Sequence, residues 1–236
     1  MAQLQSAGNL IAFPRADLRH LLGAAVKRHR LPEDLGQALV REAANFADVS
    51  TDTALASALA RRMTLAPIDF EKARGILLVG PAGAGKSAVA AKILYAASLI
   101  GRKTELARAD GGLTLFRTRT SPPELLTVME ADGFNPLNSR AASAFSALGE
   151  IGGVETIGVI SAMSDAEDVG DIVTAFHLRR VIITNMDRTR RLGAALAAAL
   201  SGARLAHVTY GPRPEDGLQM LEAGALAAQL LEISAH

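Results

Sequence analysis

The sequence predicts an α/β fold with a mostly parallel sheet flanked by helices, preceded by a small helical segment. From residue 75 onward, short apolar runs alternate with longer stretches of helical periodicity, which is the pattern of strand–helix–strand units. Before residue 70 only helical periodicity occurs. We therefore expect a helical domain over residues 1–70 and an α/β domain over residues 71–236.

Three helices are predicted in the helical domain. An amphipathic helix spans Asp17–Arg28, and a second opens at Pro32 and runs to about Phe46, since proline suits the first helical turn. Asp52 is predicted to cap a third helix that ends near Arg61. Residues 63–70 then connect the two domains.

The α/β domain is predicted to contain six strands and five helices, and no membrane span. The alternation in segment 111–124 allows an additional strand. The predicted strands are Ile76–Val79, Thr104–Arg108, Leu125–Met129, Thr156–Ile160, Val181–Thr184 and Leu205–Thr209. The predicted helices are Lys86–Ile100, Ser139–Leu148, Ala166–Phe176, Thr189–Leu200 and Glu215–Leu231.

Composition and charge exclude several classes of protein. Of the 236 residues, 49% are hydrophobic and 21% charged, which is typical of a folded chain of one or two domains. The 25 basic and 24 acidic side chains give a net charge of +1, so no specific nucleic-acid partner is predicted. The absence of cysteine excludes disulfides, thiolate metal sites and cysteine catalysis.

The sequence has no run of 18 apolar residues and no secretory signal near its start. We expect a cytoplasmic protein, with a peripheral contact at the inner face of the cell membrane as an additional option. Two basic clusters would meet acidic lipid or a partner, or else form solvated faces balanced by acids elsewhere. They are Arg102, Lys103, Arg108, Arg117 and Arg119, and Arg179, Arg180, Arg188, Arg190 and Arg191.

The stretch GPAGAGKS at residues 80–87 matches the phosphate-binding pattern G-x-x-x-x-G-K-[ST]. An apolar strand runs into it and a helix starts at its end, as this motif requires. Its glycines let backbone N–H groups surround phosphate oxygens at a helix N-terminus. Lys86 would charge-pair with the β- and γ-phosphates, and the Ser87 hydroxyl would bind Mg²⁺. The predicted nucleotide-binding residues here are Gly80, Gly83, Ala84, Gly85, Lys86 and Ser87.

A second motif, Thr184-Asn185-Met186-Asp187, ends the fifth predicted strand. The Asp187 carboxylate would accept both hydrogens that guanine presents at N1 and its 2-amino group, which adenine does not supply. The structural alternative is that Asp187 only caps a helix beginning at Arg188.

Several blocks of the chain resemble the GTPase family of the signal recognition particle. Residues 75–103 are similar to its G-P-x-G-x-G-K, A-K-L-A and G-[RK]-K/R elements, with Lys92 in the second of these. Residues 184–193 resemble its T-K-x-D-E-T…G block, and residues 208–218 its closing segment. Residues 159–176 resemble the flagellar-placement branch.

The resemblance implies a P-loop nucleotide-binding fold that binds GTP with Mg²⁺. It also implies a base pocket that includes Thr184, Asn185, Asp187 and Gly211. Pairing of two GTPase domains across their nucleotides is implied as well, as a homodimer or with a related GTPase partner.

The chain departs from the family pattern in its base and arginine motifs. Asn185 replaces the lysine whose stem covers the base, which weakens the implied preference for guanine. Asp110 has a counterpart in the family's D-T-x-R motif, but the arginine does not. The stretch between Lys86 and Glu130 is too short for the family's inserted helical segment.

The family's D-T-x-G motif corresponds to Glu130-Ala131-Asp132-Gly133. Gly133 would approach the γ-phosphate with its N–H, and Glu130 or Asp132 would hold Mg²⁺ through water. Alternatively, this segment is only a turn ahead of the predicted helix at Ser139. The catalytic residues are therefore not identified, and Asp110, Glu130 and Asp132 are the candidates.

These observations predict a nucleotide-dependent switch with slow or partner-dependent hydrolysis. By resemblance it acts in protein targeting or flagellar placement. One alternative is a non-hydrolysing pseudo-GTPase scaffold. Another is a P-loop ATPase of the cell-positioning type, binding ATP, although Pro81 stands where that group has a second lysine.

Overall fold

A computed structural model describes residues 15–46, 48–108, 124–133 and 153–232. The sheet has six strands, all parallel, in the order β2-β3-β1-β4-β5-β6. All six predicted strands are confirmed to within two residues at each end. The strands are β1 (Gly75–Val79), β2 (Lys103–Arg108), β3 (Leu125–Glu130), β4 (Val154–Ser161), β5 (Arg180–Thr184) and β6 (Arg204–Val208).

Seven α-helices lie within the described residues, three of them before the sheet. None of the described helices is long and apolar enough to cross a membrane. The helices are α1 (Arg15–Arg28), α2 (Glu33–Ala43), α3 (Thr51–Arg62), α4 (Lys86–Leu99), α5 (Ala166–Ala175), α6 (Gly193–Leu200) and α7 (Ala223–Leu231).

Both faces of the sheet are covered, which explains why β1 is apolar and buried at all five positions. Leu77 points into a core shared with the first three helices and with α5–α7. Ile76 and Leu78 point to the opposite face, where they meet Val89 and Ile93 of α4. Because β1 is flanked by β3 and β4, the carboxyl ends of these three strands converge at one edge.

The connection between α3 and β1 pairs with the outer edge of β6, which the sequence did not predict. Ala66 donates its N–H to Leu205 O at 2.9 Å, and Leu205 donates its own to Thr64 O at 2.8 Å. Helix α3 also packs against α7. The helices before the sheet are therefore held by backbone pairing as well as by apolar packing, while the division at residue 70 stays a prediction.

Two helices begin later than predicted. Helix α6 starts at Gly193 rather than Thr189, because residues 186–188 form a 3₁₀ turn and Thr189 is extended. Helix α7 starts at Ala223 rather than Glu215, because a 3₁₀ turn over residues 214–216 ends at Gly217, whose φ is +72°. Both starts lie in segments that follow the carboxyl end of a strand, β5 for α6 and β6 for α7.

The predicted cap of the third helix is wrong. Helix α3 begins at Thr51, so that Ser50 occupies the cap position and Asp52 lies in the first turn. A hydrogen bond with Ser50 lowers the pKa of Asp52. Asp110, most of segment 111–124 and the predicted helix Ser139–Leu148 lie outside the described residues.

Candidate nucleotide-binding site

Residues 80–85 form a tight loop between β1 and α4 that only glycine permits at three positions. Gly83 and Gly85 have φ values of +77° and +95°, in the left-handed region that glycine adopts readily. At Gly80, a Cβ atom would lie 2.2 Å from the carbonyl oxygen of Val159. The loop therefore wraps the N-terminus of α4 closely, as phosphate binding by backbone N–H groups requires.

The Lys86 side chain folds back over this loop. Its Nζ donates to the carbonyl oxygens of Gly80 at 3.0 Å and Pro81 at 3.1 Å. Burial lowers the pKa of Lys86, while the charges of Glu130 and Asp132 oppose that shift. The two carboxylates predicted in the next motif therefore lie close enough to act on this ammonium.

Ser87 and Glu130 meet at the convergent strand ends. The Ser87 hydroxyl donates to Glu130 Oε2 at 2.7 Å, across 43 positions of sequence. A hydroxyl and a carboxylate are oxygen ligands of the kind that Mg²⁺ prefers, with phosphate oxygens and water completing its shell. Within the described part of the chain, no three His, Cys, Asp or Glu side chains group as a metal site. The donors thus fit a metal held jointly with a bound nucleotide.

Gly133 lies directly against the loop of residues 80–85. A Cβ atom on Gly133 would come within 2.7 Å of Ala82 Cα. Ala131, which follows the last residue of β3, still bonds to β1, since it donates its N–H to Leu78 O at 3.0 Å. The segment 130–133 therefore lies beside the loop of residues 80–85, which we call the phosphate-binding loop.

The Thr184 side chain links the second motif to the same loop. Its hydroxyl donates to Ala84 O at 2.6 Å, and its methyl group would lie 3.3 Å from a Cβ on Gly85. Thr184 is buried. The phosphate-binding loop and the end of β5 are consequently joined by a direct hydrogen bond.

Asn185 turns its amide toward the end of β4. The residue has a φ of +58°, and its Nδ2 donates to Ser161 Oγ at 3.1 Å. Ser161 was not predicted as a site residue, and nothing local in its sequence marks it. The amide that replaces the family's lysine is therefore engaged in a contact within the protein.

Asp187 is exposed in the 3₁₀ turn that follows Asn185. Because α6 begins only at Gly193, the alternative that Asp187 caps a helix at Arg188 is wrong. Its carboxylate has no hydrogen-bond partner among the described residues. The exposed side chain is accessible to a ligand beside the end of β5.

Gly211 lies in the loop that follows β6, and a side chain of α4 bonds to this loop. Gly211 has a φ of +70°, and a Cβ there would lie 2.3 Å from Asp216 Oδ2. That same oxygen accepts the Arg213 N–H at 2.9 Å. The fully buried Lys92 of α4 donates to Arg213 O. Sequence reasoning noted Lys92 only in a family pattern and missed this contact.

Replacing Lys92 with methionine should loosen the loop of residues 211–217. The substitution keeps the length of the side chain but removes the donor to Arg213 O, a bond whose loss corresponds to about 1.4 kcal/mol locally. We expect about tenfold faster amide hydrogen exchange at Arg213 and Asp216, with unchanged exchange in the sheet. Lys103→Met, on exposed β2, is the matched control. Unchanged exchange in the Lys92 variant would contradict this account of the loop.

The strand order, the phosphate-binding loop and the linked second motif define a P-loop nucleotide-binding fold. No protein-family model matches the chain, and no curated protein matches it. Several solved structures are similar to the chain. The chain is similar to FlhF complexed with GMPPNP and Mg²⁺, with a TM-score of 0.69 and 17% identity over 92% of this chain and 98% of that chain.

Two structures of FtsY are also similar. FtsY from Elizabethkingia anophelis, a signal recognition particle receptor in complex with GDP, has a TM-score of 0.69 at 13% identity, covering 93% of this chain and 85% of that chain. FtsY from Mycoplasma mycoides has a TM-score of 0.66 at 15% identity, covering 95% and 91%. The chain therefore has the fold of the signal-recognition-particle-type GTPases, as the sequence predicted.

Proposed function

We propose that this protein is a nucleotide-dependent switch of the signal-recognition-particle type, which binds GTP with Mg²⁺. The observation that carries the proposal is the contact between Ser87 and Glu130 beside the Lys86 ammonium. It joins a phosphate-binding lysine, a hydroxyl and a carboxylate at the mouth of one loop. That set suits a nucleotide triphosphate with its metal.

Different groups of the chain would bind different parts of the nucleotide and its metal. Lys86 would exchange its two carbonyl partners for phosphate oxygens, while the backbone N–H groups of residues 83–86 receive the remaining oxygens. Gly133 would present its N–H to the terminal phosphate. When bound, Mg²⁺ supplies charge neutralisation between the phosphates, held by Ser87 and, through water, by Glu130 or Asp132.

Guanine would be recognised by the exposed Asp187 carboxylate, with Thr184, Asn185 and Gly211 shaping the pocket. Asp187 accepts two hydrogen bonds in this arrangement, and a carboxylate acceptor is stronger than a neutral one. Because Asn185 stands where the family has a lysine, no lysine stem at this position would cover the base. We therefore propose a preference for GTP over ATP that depends mainly on Asp187.

Hydrolysis by this class needs a positioned water and a positive charge at the transition state, often from an arginine. We propose that hydrolysis is slow or depends on a partner, which supplies what the candidates Asp110, Glu130 and Asp132 do not. Pairing with a second copy or with a related GTPase stays a prediction from the resemblance.

A non-hydrolysing scaffold is the second candidate. The departure from the family's D-T-x-R motif favours it, because Asp110 has a counterpart there but the arginine does not. Single-turnover phosphate release distinguishes the two candidates. Release above the uncatalysed rate supports the switch. Release that stays at background in the presence of a suitable partner, with intact GTP binding, supports the scaffold.

The Asp187→Asn variant tests the proposed base specificity. An amide can still accept one hydrogen bond from guanine but loses the charge, so we expect about tenfold weaker GTP binding, on the order of 1.4 kcal/mol. Binding of ATP should not weaken. The measurement is a titration with fluorescent GTP and ATP analogues.

Asp171→Asn, an exposed carboxylate on α5, is the matched control for that titration. It should leave both affinities unchanged. Tighter ATP than GTP binding by the unsubstituted protein would contradict the proposal and favour the cell-positioning ATPase.

A further inference from the structure

Several arginines meet where the end of α1 approaches the segment between β5 and α6. Arg30 follows α1, whereas Arg188 and Arg191 precede α6. Together they line a cleft of about 340 Å³. No residue of the loop 80–87 lines this cleft, and Asp187, which directly precedes Arg188, does not line it either.

A second cleft of about 700 Å³ adjoins the first. Arg28 and Arg190 line it, and Arg191 borders both clefts. Each cleft contains one carboxylate, Asp165 in the first and Glu232 in the second. Positive side chains therefore outnumber negative ones in both, although the protein as a whole is close to neutral.

The backbone segments that carry these arginines are held together by a close contact. A Cβ atom on Gly193 would lie 2.3 Å from His29 O and 2.6 Å from Arg30 O. The buried His29 ring accepts the Leu192 N–H at Nδ1, 3.2 Å away, and its Nε2 lies 3.2 Å from Leu230 O. Since Nδ1 accepts, the neutral ring donates from Nε2, and burial lowers the pKa of His29. The clefts are thus built on fixed backbone.

The side chains of four of the arginines have neither an ion pair nor a hydrogen bond in the described part of the chain. Arg28 donates to the main-chain carbonyl of Glu232 at 2.7 Å. Arg180, outside both clefts, is by contrast ion-paired with Glu155 at 2.6 Å. In the first cleft the Asp165 carboxylate already accepts the Glu167 N–H at 2.9 Å. The four without a partner are Arg30, Arg188, Arg190 and Arg191.

Guanidinium groups gathered in this way repel one another, and an anion between them would relieve that repulsion. A planar guanidinium matches two phosphate oxygens at once, which makes arginine better suited to phosphate than lysine. The concave shape of both clefts suits a compact group that several side chains surround. The Ser164 hydroxyl lines the first cleft as a further donor.

We propose that the arginine clefts bind the phosphate group of a second ligand, distinct from the nucleotide of the phosphate-binding loop. Arg30, Arg188 and Arg191 hold the phosphate in the first cleft, and the second cleft accommodates the rest of the ligand. The phosphate belongs either to a soluble organic phosphate or to a lipid headgroup. This inference does not depend on the proposed GTP site.

The test is calorimetric titration of the full chain with inorganic pyrophosphate in a Lys86→Ala background, which weakens phosphate binding at the loop of residues 80–87. In that background, Arg188→Ala with Arg191→Ala should weaken pyrophosphate binding about tenfold or more. The control pair, Arg62→Ala with Arg179→Ala, removes two exposed arginines outside both clefts and should change nothing. Arg188→Lys with Arg191→Lys keeps the charge and should give an intermediate loss.

A second measurement separates the two sources of phosphate. Sedimentation with vesicles of phosphatidylglycerol and phosphatidylcholine, in the same variants, reports binding to a lipid headgroup. Vesicle binding that the cleft pair loses and the control pair keeps supports the lipid source. The same pattern with pyrophosphate, but without vesicle binding by the protein, supports the soluble source. Absence of both, or equal binding by the cleft and control pairs, overturns the proposal. Equal thermal midpoints for the two pairs verify that the variants fold.

Discussion

The Lys86→Ala variant is expected to lose about 100-fold in affinity for GTP. The ammonium is the only full positive charge that the residues of the phosphate-binding loop supply, and losing a charge-assisted contact costs about 3 kcal/mol. The loop itself should keep its shape, because it depends on Gly80, Gly83 and Gly85 rather than on the lysine. The measurement is a titration with a fluorescent GTP analogue in the presence of Mg²⁺.

Lys72→Ala is the matched control for this variant. The Lys72 side chain is 86% exposed and pairs with Asp69 at the surface. It should leave GTP affinity unchanged. If the Lys86 variant folds with an unchanged unfolding midpoint and still binds GTP like the parent, the nucleotide binds elsewhere and the proposed site is wrong.

Acidification should destabilise the protein through His207. The ring is buried on β6, where its Nε2 accepts the Ile68 N–H at 3.1 Å and it stacks on Phe70. Burial, with the charge of Arg180 acting in the same direction, lowers the pKa of His207 to about 4, against a backbone contact at Gln219 that raises it. Protonation at Nε2 would also remove the acceptor of the Ile68 N–H.

The sign of the pH effect follows from these pKa values. Between pH 6.5 and 4 the unfolded chain binds more protons than the folded one, so stability is complete above pH 6.5 and falls as the pH drops toward 4. The loss approaches about 3 kcal/mol in the free energy of unfolding, because each pKa unit corresponds to about 1.4 kcal/mol. Urea unfolding at pH 7.5 and pH 4.5 measures it.

His207→Phe isolates this contribution from other titrating groups. The variant loses the Ile68 hydrogen bond and is less stable at pH 7.5, but its stability should depend less on pH than that of the parent. His20→Ala, at an exposed position on α1, should keep the parental dependence. An identical pH dependence in parent and His207→Phe would show that His207 is not the group responsible.

Local patterns in the chain were sufficient to predict the six strands and the loop of residues 80–85. The apolar run at residues 76–79 predicts a strand because a strand buried on both faces needs no polar alternation. Residues 80–87 are contiguous, so a phosphate-binding role could be predicted for them from the local sequence alone. The start of α6 at Gly193 could not be predicted, because the sequence does not show that the carbonyls of His29 and Arg30 leave no room for a Cβ atom at this position.

Contacts between distant residues complete the candidate site and carry no local signal. Asn185 meets Ser161 across 24 positions, and Lys92 reaches Arg213 across 121. The His29–Leu192 contact spans 163 positions. Each depends on which loops the strand order places side by side, and that order is a property of the whole sheet. Family resemblance suggested some of the residues, but only the fold places them together.

The pairing of the α3–β1 connection with β6 has a consequence for self-association. An exposed edge strand offers its unpaired N–H and C=O groups to other chains and so invites aggregation. Here Thr64 and Ala66 occupy one end of the β6 edge, and Gln219 bonds in both directions with Val208 at the other. At the opposite side of the sheet, β2 carries charged side chains, including Lys103 and Arg108. The protein thus protects one edge of its sheet with its own backbone, and charge discourages intermolecular strand addition at the other.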